Sequence, residues 1–327
     1  MSAILSCHTH RFGQLCDQLV LFHFGPNGDT IDNCPLEWFR GTGVCLDLTH
    51  IPRHTLDIKL GGILEIYEKF QGVDPRDVPM KIFPAVHYSM GGLWVDYERT
   101  SEGFLDLGSA RNQMTNIPGL YAIGECDYQY HGANRLGANS LLSCVYAGQI
   151  GGPAAVKWVQ NQAKSGTETP SSVFAAAEKR WVDHFASLGK REGSENPYVL
   201  HDELGKWMLE NVTIVRENGK LRETDAKIQE LQERWTRASV LDHGTWANQP
   251  LSFLNQLDNM LHLARVVTLG ALNRDESRGA HYKPEFPTRN DQEWLKTTVA
   301  DFSPEGPRFH YDDVDVSLCA PVERKYD

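Results

Sequence analysis

The feature that most constrains the fold is a series of four apolar patterns with helical spacing between residues 171 and 273. In "SSVFAAAEKRWVDHFASL", for example, Trp181, Phe185 and Leu188 recur at three- and four-residue steps, as on one face of an amphipathic helix. Three further segments repeat the pattern, and we expect the apolar positions to form one core: Phe174, Ala177, Trp181, Phe185, Leu188, Leu200, Leu204, Trp207, Met208, Ile228, Leu231, Trp235, Leu254, Leu257, Leu261 and Ala264. The sequence therefore predicts a helical block over residues 171–273.

The preceding residues, 44–165, mix short strands with helices. The pattern predicts a strand at 44–48, a helix at 60–72 with Leu60, Leu64 and Tyr67 on one face and Ile63 as a further candidate, and a strand, turn and strand across 80–96. "TNIPGLYAIGECD" indicates a turn and a buried strand, and "NSLLSCVYAG" indicates a helix that begins at an asparagine cap, Asn139. Residues 1–43 show no sustained period, and the proline-rich residues 274–327 are typical of an extended tail.

Composition excludes several classes of protein and site. The 327 residues carry a formal net charge of −11, which argues against a nucleic-acid partner because phosphate binding requires a basic surface. The 7 cysteines include no C-x-x-C pair, so neither a zinc site nor a disulfide framework is supported, and reduced thiols in the cytoplasm are expected. No apolar run approaches the roughly 20 residues of a membrane-spanning helix. Any contact with a membrane would then require another subunit.

The residues between 125 and 142 suggest a binding site for an organic ring and an anion. A glycine followed by Glu125 at a strand end lets a ligand approach the backbone while the carboxylate accepts hydrogen bonds from vicinal hydroxyls. Asn139, Ser140, Leu141 and Leu142 lie at a helix start, where unpaired N–H groups stabilise a negative ligand edge. Arg135 offers a planar fork for a carboxylate, and His87 and His131 are possible further donors.

The residues alone leave structural alternatives open. His87 could be a core histidine, Arg135 an arginine in a surface ion pair, and Glu125 a neighbour of a helix cap.

Three longer segments carry a resemblance to a known family: "KIFPAVHYSMGGLWVD", "IPGLYAIGECDYQYHGANRLGANSLLSCVYAG" and "DESRGAHYKPEFPTRNDQEWLK". From about residue 44 onward the chain resembles the flavoprotein subunit of succinate dehydrogenase and fumarate reductase. The resemblance implies that His87 and Arg135 hold the dicarboxylate substrate. It implies that Glu125 binds the ribityl or ribose part of FAD, and that Asn139, Ser140, Leu141 and Leu142 contact the isoalloxazine.

The resemblance also implies an architecture and partners. The expected fold class is α+β, with a capping-domain remnant at 44–87 and part of a glutathione-reductase-like FAD-binding lobe at 88–165. A helical bundle at 171–273 and an extended tail at 274–327 would follow. The partners would be an iron-sulfur subunit, a membrane anchor subunit bound through it, and succinate or fumarate. The location would be the inner face of a bacterial cell membrane, with no nucleic acid bound.

Two family features have no counterpart in the sequence. There is no G-x-G-x-x-G turn for the FAD pyrophosphate, and no R-D-x-x-x-R helix for a proton-shuttling arginine, so no catalytic residue is assigned. Residues 1–43 are atypical, and we interpret the chain as a C-terminal fragment in which FAD binding is incomplete or absent. The alternatives are an inactive remnant that keeps a docking or scaffold surface and, less favoured, a flavoenzyme similar to L-aspartate oxidase. We expect "SRGAH" and "RND" at 289–291 to be structural.

Overall fold

The structure, a computed structural model, describes residues 20–22, 44–82, 88–136, 139–213, 215–244 and 246–322. Helices and antiparallel sheets both occur, which agrees with the predicted α+β class. No helix of the described residues is long and apolar enough to cross a membrane.

The first elements are a small sheet and a helix. Strands β1 (Val20–Phe22), β2 (Val44–Asp47) and β3 (Met80–Ile82) form an antiparallel sheet in that order. Helix α1 (Arg53–Gln71) begins after a proline, well before the predicted residue 60. A separate apolar core lies between these elements and contains the buried residues Leu48, Ile51, Leu56, Leu64 and Met80, with Leu60 and Tyr67 packed against it.

Ile63 does not share this core. Its side chain is 57% exposed, and the prediction that it lies on the apolar face was wrong. Leu64, one residue later, is buried, and successive residues on a helix lie about 100° apart.

Residues 88–136 contain isolated β-bridges and turns rather than strands. The predicted second strand, near 93–96, forms single bridges from Leu93 to Asp127 and from Asp96 to Met114. The strand predicted before Glu125 is one bridge between Met114 and Tyr121, although Ala122 is buried as expected. A strand requires a neighbouring segment that runs alongside it for several residues and forms a ladder of backbone hydrogen bonds. Within the described residues each of these segments pairs with another at single positions only.

Helix α2 (Asn139–Gln160) follows and begins within one residue of the predicted start. Asn139 is the first helical residue instead of the cap. One side of the helix is buried, through Ser143, Ala147, Ile150, Gly151 and Ala154.

The helical block consists of α3 (Ser171–Gly189), α4 (Pro197–Asn211), α5 (Asn218–Trp235) and α6 (Gln249–Leu272). All four predicted helices are confirmed, although α5 begins seven residues before the predicted pattern at residue 225. Side-chain caps at Asn196 and Asn248 accept backbone N–H bonds at the starts of α4 and α6. The shared core contains Leu188, Leu200, Leu204, Ile228, Leu231, Leu254, Leu257, Leu261 and Ala264.

The prediction that Trp181 and Phe174 lie in this core was wrong. Their side chains are 52% and 60% exposed, whereas Leu188 at the other end of α3 is 1% exposed. Only the C-terminal part of α3 reaches the core, where Phe185 packs and His184 contacts Asn255 at 2.7 Å. A helical apolar stripe shows which side of a helix is apolar and does not show how far along the helix a partner extends.

The tail carries the short helix α7 (Asp291–Trp294) and an antiparallel hairpin of β4 (Lys296–Asp301) and β5 (Arg308–Asp313). Glu276, whose side chain is fully buried, is the centre of an ion-pair network within the tail. Arg278 donates two hydrogen bonds to this carboxylate, at 2.8 and 2.9 Å, and one to Asp291 at 2.7 Å. These ion pairs, together with the 2.7 Å pair between Arg289 and Asp291, link "SRGAH" to "RND" within the tail. The expected tie between tail and body is made elsewhere, for example by Lys283, which donates to the Leu272 carbonyl at 2.9 Å.

Candidate functional site

The loop that carries Arg135 meets the segment that follows His87. The backbone N–H of Arg135 lies 3.0 Å from the Sδ atom of Met90. The Arg135 guanidinium lies 5.5 Å from the centre of the Tyr88 ring and donates to the carbonyl of Leu136 at 3.1 Å. The structure therefore brings together the two segments that the sequence assigned to one substrate site.

His87 itself lies outside the described residues, which resume at Tyr88. Its role in holding a carboxylate remains a prediction. Tyr88 and Met90, which the sequence reading did not single out, are the residues of this segment that contact the Arg135 loop.

Glu125 lies on a 3-10 turn, Gly124–Cys126, beside the same segment. Its side chain accepts a hydrogen bond from the backbone N–H of Ser89 at 2.9 Å. The segment after Ser89 passes so close to this turn that position 92 must be glycine, because a Cβ there would overlap the carbonyl group of Cys126. The backbone N–H of Leu93 then reaches the Cys126 carbonyl at 2.7 Å.

The start of α2 presents a mixed surface. Asn139 and Ser140 are half-buried, whereas Leu141 and Leu142 are 76% and 63% exposed. Exposed leucines beside the unpaired N–H groups of a first turn can contact an apolar ring while the backbone stabilises its polar edge.

Ser143, one turn into α2, connects these parts and was missed by the sequence reading. Its hydroxyl lies 2.8 Å from the Ser140 carbonyl, 3.0 Å from the Tyr88 hydroxyl and 3.1 Å from Nε2 of His131. The signal available in the sequence was its position, four residues after Asn139 on a predicted helix. Serine is too common on helices for that position alone to indicate a role.

Burial determines the charge of the neighbouring groups. It lowers the pKa of His131, with a further contribution from the charge of Arg135, and it raises the pKa of Tyr88. His131 and Tyr88 are therefore neutral near pH 7, and Arg135 is the cation at this place. Burial also raises the pKa of Asp127 from 3.8 to about 6.

The donor set fits one end of FAD. Glu125 provides a carboxylate for hydroxyl groups, and the first turn of α2 provides N–H groups and apolar side chains for the ring. Among the described residues no G-x-G-x-x-G turn is present for the pyrophosphate.

The tail supports the Arg135 loop from behind. The backbone N–H of Ala280 donates to the Ala133 carbonyl at 2.9 Å, and Gly279, with φ of +58°, lies directly against Ala133 and Asn134. This contact was also missed from sequence, because nothing local in "SRGAH" indicates which loop it touches.

Comparison with known proteins gives two family matches. The family described as "Fumarate reductase flavoprotein C-term" matches residues 201–326, and the family described as "FAD binding domain" matches residues 36–141. The second match contains Glu125 and Arg135 and extends into the first turn of α2.

Individual relatives agree with these matches. The succinate dehydrogenase flavoprotein subunit of Bacillus subtilis is 58% identical over 285 residues, which are 86% of this chain and 46% of the relative. The fumarate reductase flavoprotein subunit of Haemophilus influenzae is 35% identical over 86% of this chain and 45% of the relative. A chain of Escherichia coli quinol fumarate reductase superposes with a TM-score of 0.76 at 33% identity, and the match covers 87% of this chain and 46% of that chain.

The chain thus spans about half the length of the relatives it matches. Within that span the matched segments include the Arg135 loop, the Glu125 turn and the start of α2. The chain belongs to the family of succinate dehydrogenase and fumarate reductase flavoprotein subunits.

Proposed function

We propose that this chain supplies the substrate-binding and flavin-ring side of an enzyme that interconverts succinate and fumarate. The observation that carries the proposal is the convergence of three segments at one place. The Arg135 guanidinium lies over the Tyr88 ring, Glu125 accepts from Ser89, and Ser143 of α2 contacts both Tyr88 and His131.

Substrate binding is assigned to Arg135 and His87. A guanidinium binds a carboxylate through two parallel N–H···O bonds, which fixes the orientation of the dicarboxylate as well as its position. The half-buried setting of Arg135 strengthens this attraction relative to one in open water. His87, next to Tyr88, would hold the second carboxylate.

FAD binding is assigned to Glu125, Asn139, Ser140, Leu141 and Leu142. The carboxylate of Glu125 would accept from ribityl or ribose hydroxyls, and the N–H groups at the start of α2 would face the polar edge of the ring. When bound, the flavin supplies the hydride chemistry, and these residues orient it and stabilise its charge.

The domain assignment is part of the same proposal. Residues 44–87 form a capping-domain remnant, 88–165 a segment of a glutathione-reductase-like FAD-binding lobe, 171–273 a helical domain, and 274–327 a tail. The FAD binding match at 36–141 includes most of 88–165, and the C-terminal match at 201–326 includes most of 171–273 together with the tail.

The partners proposed are an iron-sulfur subunit, which takes the electrons, and a membrane anchor subunit bound through it. The complex would lie on the inner face of a bacterial cell membrane. One structural neighbour of this chain is described as quinol-fumarate reductase with menaquinol molecules, which supports an assembly of this kind.

The test is Arg135→Lys in the chain co-expressed with the part of the B. subtilis relative that the chain does not cover. Lysine keeps the charge and loses the planar fork, so dicarboxylate turnover should fall at least about a hundredfold, or about 2.7 kcal/mol of transition-state stabilisation. Flavin content should be unchanged. Arg308→Lys, at an exposed ion pair with Glu305, is the matched control and should retain turnover.

Near-normal turnover in Arg135→Lys would remove Arg135 from the substrate site. A complex that binds FAD and oxidises L-aspartate instead of succinate would favour the L-aspartate oxidase alternative. A complex that docks and has neither flavin nor turnover would favour the inactive remnant.

A further inference from the structure

Ser143 lies where three separate segments of the candidate site meet. Tyr88 belongs to the segment after His87, His131 lies four residues before Arg135, and Ser143 itself follows the first turn of α2. The Ser143 side chain is buried, so its hydrogen bonds are made within the protein.

The donors and acceptors around the Ser143 hydroxyl determine the direction of each of its three hydrogen bonds. A serine hydroxyl has one proton and two acceptor lone pairs. The Ser140 carbonyl, 2.8 Å away, can only accept, so it takes the Ser143 proton. The Tyr88 hydroxyl and the His131 Nε2 atom, at 3.0 and 3.1 Å, must then both donate to Ser143.

The count therefore specifies one form of His131. Its Nε2 atom carries the proton, and its Nδ1 atom is left as an acceptor. The ring also meets Tyr88 edge to face, with centres 5.1 Å apart, so its orientation is held by packing as well as by the hydrogen bond. Burial and the charge of Arg135 both lower the pKa of His131, in agreement with a neutral ring.

We propose that Ser143 is a positioning residue that fixes His131 as the neutral Nε2–H tautomer and ties the Arg135 loop and the Tyr88 segment to the start of α2. This inference rests on the proposed function, because it concerns the same dicarboxylate and flavin site. Ser143 does not touch either ligand in this account. It sets the distance between the Arg135 loop and the helix that faces the flavin ring.

The experiment is long-range ¹H–¹⁵N correlation NMR on the full chain labelled with ¹⁵N-histidine. The His131 signals are identified by their loss in His131→Gln. At pH 7.5 we expect them to show a protonated Nε2 and an unprotonated Nδ1, in contrast to an averaged pattern from the exposed His201.

Ser143→Ala should move His131 toward the averaged pattern, and Ser143→Thr, which keeps the hydroxyl, should restore the wild-type signals. Ser187→Ala is the matched control. Ser187 also donates to the carbonyl three residues earlier, at 2.7 Å from His184 O, and it is exposed. Tyr88→Phe removes one bond without changing α2, and it should leave the His131 tautomer in place if Ser143 is the determinant.

A His131 ring that is protonated at Nδ1, or one that Ser143→Ala leaves unchanged, would overturn the proposal. Titrating succinate into the co-expressed complex that tests Arg135→Lys separates the proposed function from the role of Ser143. In Ser143→Ala the succinate dissociation constant of this complex should rise about tenfold, or about 1.4 kcal/mol. A wild-type complex that binds FAD and no succinate, together with the expected tautomer of His131 in the chain, would count against the proposed function and leave the role of Ser143 in place.

Discussion

The contact between the tail and the Arg135 loop can be tested with a pair of glycine substitutions. Gly279 and Gly132 both have positive φ, +58° and +53°. A Cβ on Gly132 would meet no atom within 4 Å, whereas a Cβ on Gly279 would lie 2.9 Å from the Cβ of Asn134 and still closer to the Ala133 carbonyl. The two Gly→Ala variants thus share the backbone strain and differ in the steric contact.

The magnitudes follow from this difference. An alanine in the left-handed region costs about 1 to 2 kcal/mol at either position. At Gly279 the clash adds about 1 to 3 kcal/mol, and losing the bond from Ala280 N–H to the Ala133 carbonyl adds about 0.5 to 1.5 kcal/mol. The Gly279→Ala variant should therefore lose about 1.5 to 4.5 kcal/mol more than Gly132→Ala.

Native-state hydrogen exchange of the Ala280 amide is the assay, because this N–H is bonded only while the tail is docked. Its exchange should be faster in Gly279→Ala than in Gly132→Ala by about 10- to 2000-fold. Equal exchange in the two variants would refute the docking of the tail on the Arg135 loop.

Three further predictions concern the core and two buried titrating groups. Leu261→Ala should lower the free energy of unfolding by about 2 to 5 kcal/mol because Leu261 is fully buried. Trp181→Ala, at a half-exposed site, should lower it by no more than about 1 kcal/mol. Urea unfolding measures both changes, and equal losses would contradict the packing of α3. The folded-state pKa of Asp127 is raised from 3.8 to about 6, so its ionisation reduces stability as pH rises through that range. In urea unfolding, Asp127→Asn should be more stable than wild type by up to about 3 kcal/mol at pH 7.5, and the two should become equal below pH 3.8. Burial lowers the pKa of His281 from 6.5 to about 4, so its contribution to stability is present above pH 6.5 and lost as pH falls toward 4. Wild type should therefore lose more stability than His281→Gln as pH falls from 7.5 to 4, and a difference between the two that does not change with pH would contradict the assignment.

The sequence predicted the helical block well because its apolar residues recur with the period of a helix. α6 begins and ends within one residue of the pattern, and its buried residues Leu254, Leu257 and Leu261 were all expected. The same reasoning was wrong for Trp181, since periodicity identifies an apolar face and not the length over which a neighbour covers it.

The candidate site was predicted in part, for a related reason. Arg135 and Glu125 stood out because charged groups beside small residues and helix starts are uncommon. Ser143 and Gly279 did not, because their importance lies in contacts with residues 55 and 146 positions away in the chain, Tyr88 and Ala133. A serine and a glycine carry no local signal of such contacts.

The pyrophosphate end of FAD has no counterpart among the described residues, whereas the ring end does. Glu125 and the start of α2 are proposed to hold only one end of the cofactor. Backbone hydrogen bonds from a glycine turn to a charged group contribute about 1 to 3 kcal/mol each, so we expect the chain alone to bind FAD several orders of magnitude more weakly than a site that holds both ends.

Titration of the chain alone with FAD, followed by flavin fluorescence, tests this claim most directly. We expect no stoichiometric end point at micromolar concentration and no dye reduction when succinate is added. Stoichiometric binding at micromolar FAD, or any succinate-dependent dye reduction by the chain alone, would contradict it.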